Sequence, residues 1–248
     1  MNWTLFSLHF RQDFDGGYRY LDRFGEFLLA AESSLDFIPT DAKPTGGKLE
    51  IPESGISVEI DAMELKMTQD RPDDRGTRFA YLCGAVSELA RQYFEPQRIT
   101  RNGAMSKWIE SYPSEEAALD ASLALTQALR PDLDKAINMT PLFSVWHRSF
   151  ESGSWELRIQ TQLGSFEFTN QRRIAGIHDS ASQKKKVERF NKKASRVPNE
   201  FRHCLILDID LMEFDPAEES SVQGHFGELE KYEKAILSKL SIGRASNK

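Results

Sequence analysis

The sequence predicts an α+β protein made of two similar halves, each an antiparallel sheet with a long helix packed on one face. Three observations carry this. An acidic phrase occurs twice, as Val58-Glu59-Ile60-Asp61-Ala62-Met63-Glu64-Leu65 and as Leu207-Asp208-Ile209-Asp210-Leu211-Met212-Glu213-Phe214, each followed by a polar stretch and an amphipathic helix. A second echo keeps the same order: Leu5-Phe6-Ser7-Leu8 opens the chain and Leu142-Phe143-Ser144-Val145 opens the second half. Strand-like runs also follow one another at hairpin spacing, without the strand–helix alternation of a parallel fold. The halves are drawn at residues 1–112 and 140–248, with a bridging helix and linker over 113–139. The two echoes are offset by 137 and 149 residues, so the second half carries about twelve extra residues between its matching elements.

Taken in order, residues 3–10 alternate and are rich in aromatics, which predicts a strand. Asp15-Gly16-Gly17 is a turn signal. Leu21, Phe24, Leu28 and Ala31 recur at helical spacing, which predicts a helix over 18–31. A short strand at 35–39 and a turn at 44–47 follow. Strands at 48–52 and 56–67 are joined through Glu53-Ser54-Gly55. Thr77 is the expected cap of a helix whose apolar stripe runs through Phe79, Leu82, Cys83, Val86, Leu89, Ala90 and Tyr93 and stops at Pro96. A strand at 97–109 closes the first half. Glu115 and Glu116, in the first turn of a helix over 114–129, suit its dipole. Strands at 142–150, 154–163 and 165–172 are expected as a meander turning at Ser152-Gly153 and Gly164. A long strand over 201–214 and a closing helix from Phe226 complete the chain.

With 248 residues and 40% apolar content, the chain can bury a substantial core. No apolar run is long enough to span a bilayer, and no basic leader precedes an apolar stretch, so a cytoplasmic protein with no membrane contact is expected. Cys83 and Cys204 stand in apolar surroundings and are expected as buried free thiols in a reducing compartment. The net charge of −6 is uneven. Between residues 171 and 196, Arg172, Arg173, Lys184, Lys185, Lys186, Arg189, Lys192, Lys193 and Arg196 face only Asp179 and Glu188, and the rest of the chain carries −13. Any contact with a polyanion is therefore expected to be local.

Strand alternation puts Glu59 and Asp61 on one face, with the two carboxylates roughly 7 Å apart; Asp208 and Asp210 repeat the arrangement. Convergence of the four would make a site for a divalent cation and a route to phosphodiester cleavage. The plainer expectation is one face packed on a helix and one solvated. His9, His147, His178, His203 and His225 lack ligand spacing. Thr45-Gly46-Gly47-Lys48 lacks the spacing and the following helix of a phosphate loop. No nucleophile elbow, paired Cys-x-x-Cys or His-Glu-x-x-His motif occurs.

The strand at Leu207–Asp210, the acidic loop after it and the closing helix from Phe226 to Leu240 resemble a sporadically distributed family of uncharacterised bacterial proteins of about this length. The resemblance implies a bacterial protein, an accessory component in a mobile or defence-type gene neighbourhood, and assigns no catalytic residue. The expected function is a non-catalytic binding or assembly component that recognises another macromolecule, with a protein partner and no cofactor. The alternative is nucleic-acid binding through the nine cations of the 171–196 segment, with a divalent metal at Asp208, Asp210, Glu59 and Asp61 if it is also a nuclease.

Overall fold

The computed structural model describes residues 3–16, 19–43, 46–72, 76–129, 146–168, 200–217 and 220–245. Nine strands form one antiparallel sheet: β1 (Thr4–Asp15), β2 (Ile38–Lys43), β3 (Gly46–Ile51), β4 (Ile56–Ile60), β5 (Glu64–Asp70), β6 (Arg98–Tyr112), β7 (Trp146–Ser152), β8 (Trp155–Phe168) and β9 (Glu200–Phe214). Their order across the sheet is β2-β3-β4-β5-β1-β6-β9-β8-β7. Among the described residues four helices, α1 (Tyr20–Leu35), α2 (Thr77–Phe94), α3 (Glu115–Leu129) and α4 (Val222–Ala245), form a layer in the order α1-α2-α4-α3. The α+β class and the antiparallel sheet are as the sequence predicts.

Alternation along each strand decides which side faces the helices. Leu8, Phe10 and Phe14 of β1 point into the core with Leu65 and Met67 of β5 and Val58 and Ile60 of β4. The stripe on α2, with Phe79, Leu82, Cys83, Val86 and Ala90, closes over them. Tyr20, Phe24, Phe27 and Phe94 join α1 to α2 as an aromatic cluster with ring centroids 4.9 to 6.5 Å apart. Phe226 of α4 lies 5.7 Å from Phe79 and 6.1 Å from Phe10, so it ties the second part of the core to the first. Beyond it, Leu207, Ile209 and Leu211 of β9 pack with Leu157, Ile159 and Leu229. Complete burial of side chains this size contributes about 1.5–3 kcal/mol each.

Two glycines are fixed by geometry. Gly55 has φ +63° in the turn between β3 and β4, a conformation that glycine adopts without strain. Gly47, in the rejected phosphate-loop phrase, lies under the ring of Phe24; a Cβ there would sit 2.1 Å from Phe24 Cζ. Its role is to let the helix layer approach the sheet.

Several boundaries differ from expectation. The run read as one strand over 56–67 is a hairpin. Asp61 Oδ1 accepts from the backbone N–H of Met63 and Glu64 at 2.8 and 2.9 Å, which turns the chain between β4 and β5. Gly164 does not turn the chain; it continues β8 opposite Cys204. Residues 35–37 belong to the end of α1 and its exit, where Asp36 adopts a left-handed conformation, and β2 starts at Ile38. Thr77 is the first helical residue, and Gly76 occupies the cap position. Residues 142–145 and 169–172, expected as strand, lie outside the described residues.

The two acidic phrases therefore differ locally. The first straddles a turn, whereas the second runs straight inside β9. The chain order nonetheless has a repeated form. β1-α1-β2-β3-β4-β5-α2 is followed by β6-α3-β7-β8-β9-α4. In each run the last strand returns beside the first, and the two first strands, β1 and β6, pair with each other.

Candidate functional site

The face of the sheet opposite the four described helices carries the charged positions over its middle, because the alternation that seats the core leaves them on that side. Towards one end of the same face, Ile109, Cys204 and Ile206 form a separate buried apolar cluster with Phe6. The register puts them in rows. Asp70, Ser7, Lys107, Asp208 and Gln160 stand side by side across five adjacent strands, and Lys66, Arg11, Gly103, Met212 and Glu156 do so further along. Over the middle of these rows lies a concavity of about 360 Å³. Its lining includes His9, Arg11, Lys66, Thr68, Arg101, Gly103, Met105, Arg158, Asp210 and Met212.

The cations around it are already held. Arg11 bridges Asp13 at 2.7 Å and Glu64 at 2.9 Å; Arg101 binds Asp13 at 2.6 Å; Arg158 binds Glu156 at 2.6 Å. Lys66 pairs with Glu64. These pairs fix the side chains more than they stabilise the fold, since exposed pairs contribute about 0–1 kcal/mol. His9 is clamped between Ser7 Oγ (2.9 Å from Nε2) and Thr68 Oγ1 (3.3 Å from Nδ1). Burial lowers its pKa, with Lys107 acting in the same direction and Asp70 against it. A serine beside a histidine invites comparison with a nucleophilic triad, but threonine stands where such a triad places a carboxylate.

Asp208 and Asp210 of the second acidic phrase both lie on this face. Burial raises the pKa of each carboxyl, opposed by Lys107 at Asp208 and by Arg158 and Arg101 at Asp210. Lys107 Nζ is 3.7 Å from Asp208 Oδ1, and Gln162 Nε2 donates to Oδ2 at 3.4 Å. Glu59 of the first phrase points to the same side, but β5, β1 and β6 separate β4 from β9. Four strand spacings make that separation roughly 19 Å. Glu59 and Asp61 line a different pocket of about 320 Å³ with Asp41, Glu64, Lys43 and Lys48. The sheet therefore does not bring the four carboxylates together. Among the described residues no group of three or more His, Cys, Asp or Glu side chains is arranged to hold a metal ion.

The remaining sequence candidates are dispersed. Arg172, Arg173, Lys184, Lys185, Lys186, Arg189, Lys192, Lys193, Arg196 and His178 lie outside the described residues. His147 is exposed on β7, and His225, on α4, is buried against β9 with its Nε2 2.9 Å from the carbonyl oxygen of Leu211. Cys83 and Cys204 are buried free thiols, and burial pushes the Cys83 thiol well up. No described helix is long and apolar enough to cross a membrane. The ring of Arg11, Lys66, Arg101 and Arg158 was not singled out by the sequence. Its only sequence signal is that each cation occupies a polar position in an alternating run.

No family model matches the chain, and no curated protein or solved structure matches it.

Proposed function

We propose that the protein is a non-catalytic binding or assembly component that recognises another macromolecule through the face of its sheet opposite the four described helices, and that this macromolecule is a protein. The charge balance of that face carries the reading. Across the five central strands, Arg11, Lys66, Arg101, Lys107 and Arg158 stand among Asp13, Glu64, Asp70, Glu156, Asp208 and Asp210. Five cations among six anions give no net attraction for a polyanion, whereas a protein surface can match both signs. Arginines held in place around methionine side chains suit an interface core, where Arg and Met are enriched.

The duplication expected from the sequence, with halves at residues 1–112 and 140–248 and a bridging helix and linker over 113–139, forms part of this reading, so that the face is shared by two related units. The two buried free thiols support a reducing, cytoplasmic location. The family resemblance adds a bacterial accessory role in a defence-type system.

A second reading rests on the sequence between residues 171 and 196, where nine cations stand against two acids. There, nucleic acid is the partner. Affinity capture from the native host, with mass spectrometry and nucleic-acid detection, separates the two. Loss of a protein partner with Arg101→Glu and Arg158→Glu, but not with charge reversal at Lys184, Lys185 and Lys186, is the expected result. Nucleic acid retained by the first variant and lost by the second would replace it.

A further inference from the structure

On the helix side of the sheet, one row breaks the apolar pattern. Gln12, Asn102, Glu213 and Trp155 stand directly opposite one another on β1, β6, β9 and β8. Gln12 and Asn102 are 1% and 2% exposed. Ser87 of α2 donates to Gln12 Oε1 at 2.8 Å, and Gln12 Nε2 donates to Asn102 Oδ1 at 2.9 Å. Buried polar groups are normally satisfied, because desolvation without a partner is costly. This relay satisfies the oxygen of Asn102 and fixes the orientation of its amide. The NH2 group finds no partner among the described residues.

Asn102 lines a cavity of about 460 Å³ whose described wall comes from the end of α2, the start of β6 and Pro216, Ala217 and Ser220. Among the described lining residues, Arg91 and Arg98 are the only charged ones, and Pro96, Ile99, Pro216 and Ala217 supply apolar wall. Arg98 is anchored from outside the lining by Asp15 at 3.0 Å and by Asp215 at 3.7 Å. Anchoring of this kind fixes a guanidinium while leaving further N–H donors. Arg91 stands in the last turn of α2, where a cation offsets the negative end of the helix.

We propose that this cavity binds a small organic oxyanion, a carboxylate or phosphate carried on a compact apolar body. Arg91 and Arg98 hold the charged group, the amide of Asn102 donates to it, and the proline-rich wall takes the apolar part. The site lies on the opposite side of the sheet from the proposed macromolecular face and does not depend on it. A polar donor at the base, cations at the mouth and an apolar wall form the usual composition of a small-molecule site.

Calorimetric titration of the full chain tests this with benzoate, phenyl phosphate, inorganic phosphate and benzyl alcohol as probes. Saturable binding of benzoate or phenyl phosphate is expected, and the tighter of the two identifies the oxyanion. Phenyl phosphate should bind more tightly than inorganic phosphate, and benzyl alcohol should not bind. Arg91→Gln and Arg98→Gln, at partly exposed positions, should each weaken binding by about tenfold, the order expected for losing one charge-assisted hydrogen bond. Asn102→Asp turns the donor into a repelling carboxylate and should abolish it. The proposal is overturned if neither organic anion binds at millimolar concentration. It is also overturned if the two arginine variants bind as the parent does, or if benzyl alcohol binds equally well.

Discussion

On one side of β1, Leu8, Phe10 and Phe14 enter the core; on the other side of the same strand, His9, Arg11 and Asp13 stand beside Thr68, Lys66 and Glu64 on β5 and Met105, Gly103 and Arg101 on β6. The contrast extends across the sheet. Towards the helices, side chains are selected by volume and shape, because a close-packed interior responds to single methylene groups. On the opposite face they are selected by charge, and each ion pair is partly solvated. The helix side therefore holds the fold, whereas the charged middle of the other side, away from the buried cluster of Ile109, Cys204 and Ile206, can vary in composition at little cost to stability. That freedom is what a recognition surface requires.

The largest effect that sharpens this contrast is expected at Phe79 of α2, which is fully buried against Phe226 of α4. Phe79→Ala should cost about 3–5 kcal/mol in denaturant unfolding, while Arg158→Ala on the open face should cost no more than about 1 kcal/mol. Equal losses would erase the distinction between the faces. Next comes Gln12→Leu, which keeps the helix side apolar but strands the Ser87 hydroxyl and the Asn102 oxygen. A loss of about 1–3 kcal/mol is expected, and a gain in stability would show that the relay is dispensable. Asp61→Ala removes the acceptor that turns β4 into β5 and should cost about 1 kcal/mol in the same assay.

The smallest effects are those of pH, and they run in opposite directions on the two faces. Burial lowers the pKa of His225, with Leu211 and Glu213 opposing it. The unfolded chain therefore takes up that proton first. Stability from this group is complete above about pH 6.5, falls as the pH drops below that value, and levels off below the lowered folded pKa. His225→Gln should flatten that decline. For Asp210 the folded pKa is raised, so its charged form costs stability at neutral pH and the cost disappears as the pH falls through the raised value. Asp210→Asn should be slightly more stable than the parent at pH 7 and indistinguishable from it in acid. The reverse order in urea titrations at the two pH values would mean that the pairing of Asp210 with its arginines outweighs its burial.

Much of the fold was legible, for a local reason. The stripe on α2 and the alternation in β9 are written at periods of 3.6 and 2, and each survives folding because the backbone imposes it. The misreadings occur where two structures share one period. Asp61 and Asp210 stand in nearly the same phrase. Asp61 ends a strand because its carboxylate captures two backbone N–H groups. Asp210 continues one because β6 and β8 pair with residues on both sides of it. Gly164 resembles a turn in isolation and is straightened by its place opposite Cys204. The candidate site was less legible still. Arg11, Lys66, Arg101 and Arg158 are isolated in sequence, and only the register of five adjacent strands makes them neighbours.

The sequence by itself determined most of the described helices and strands, the apolar side of α2 and of β9, and that two cysteines are buried as free thiols. These follow from side-chain period and transfer free energy, which act within a segment. Tertiary structure alone decided that β9 lies beside β6, that the two acidic phrases stand four strand spacings apart, and that the Asn102 side chain, its oxygen held by Gln12, lines a cavity behind the sheet. Those outcomes depend on pairing between distant segments, where the balance of loop-closure entropy and shared burial is set by the whole chain.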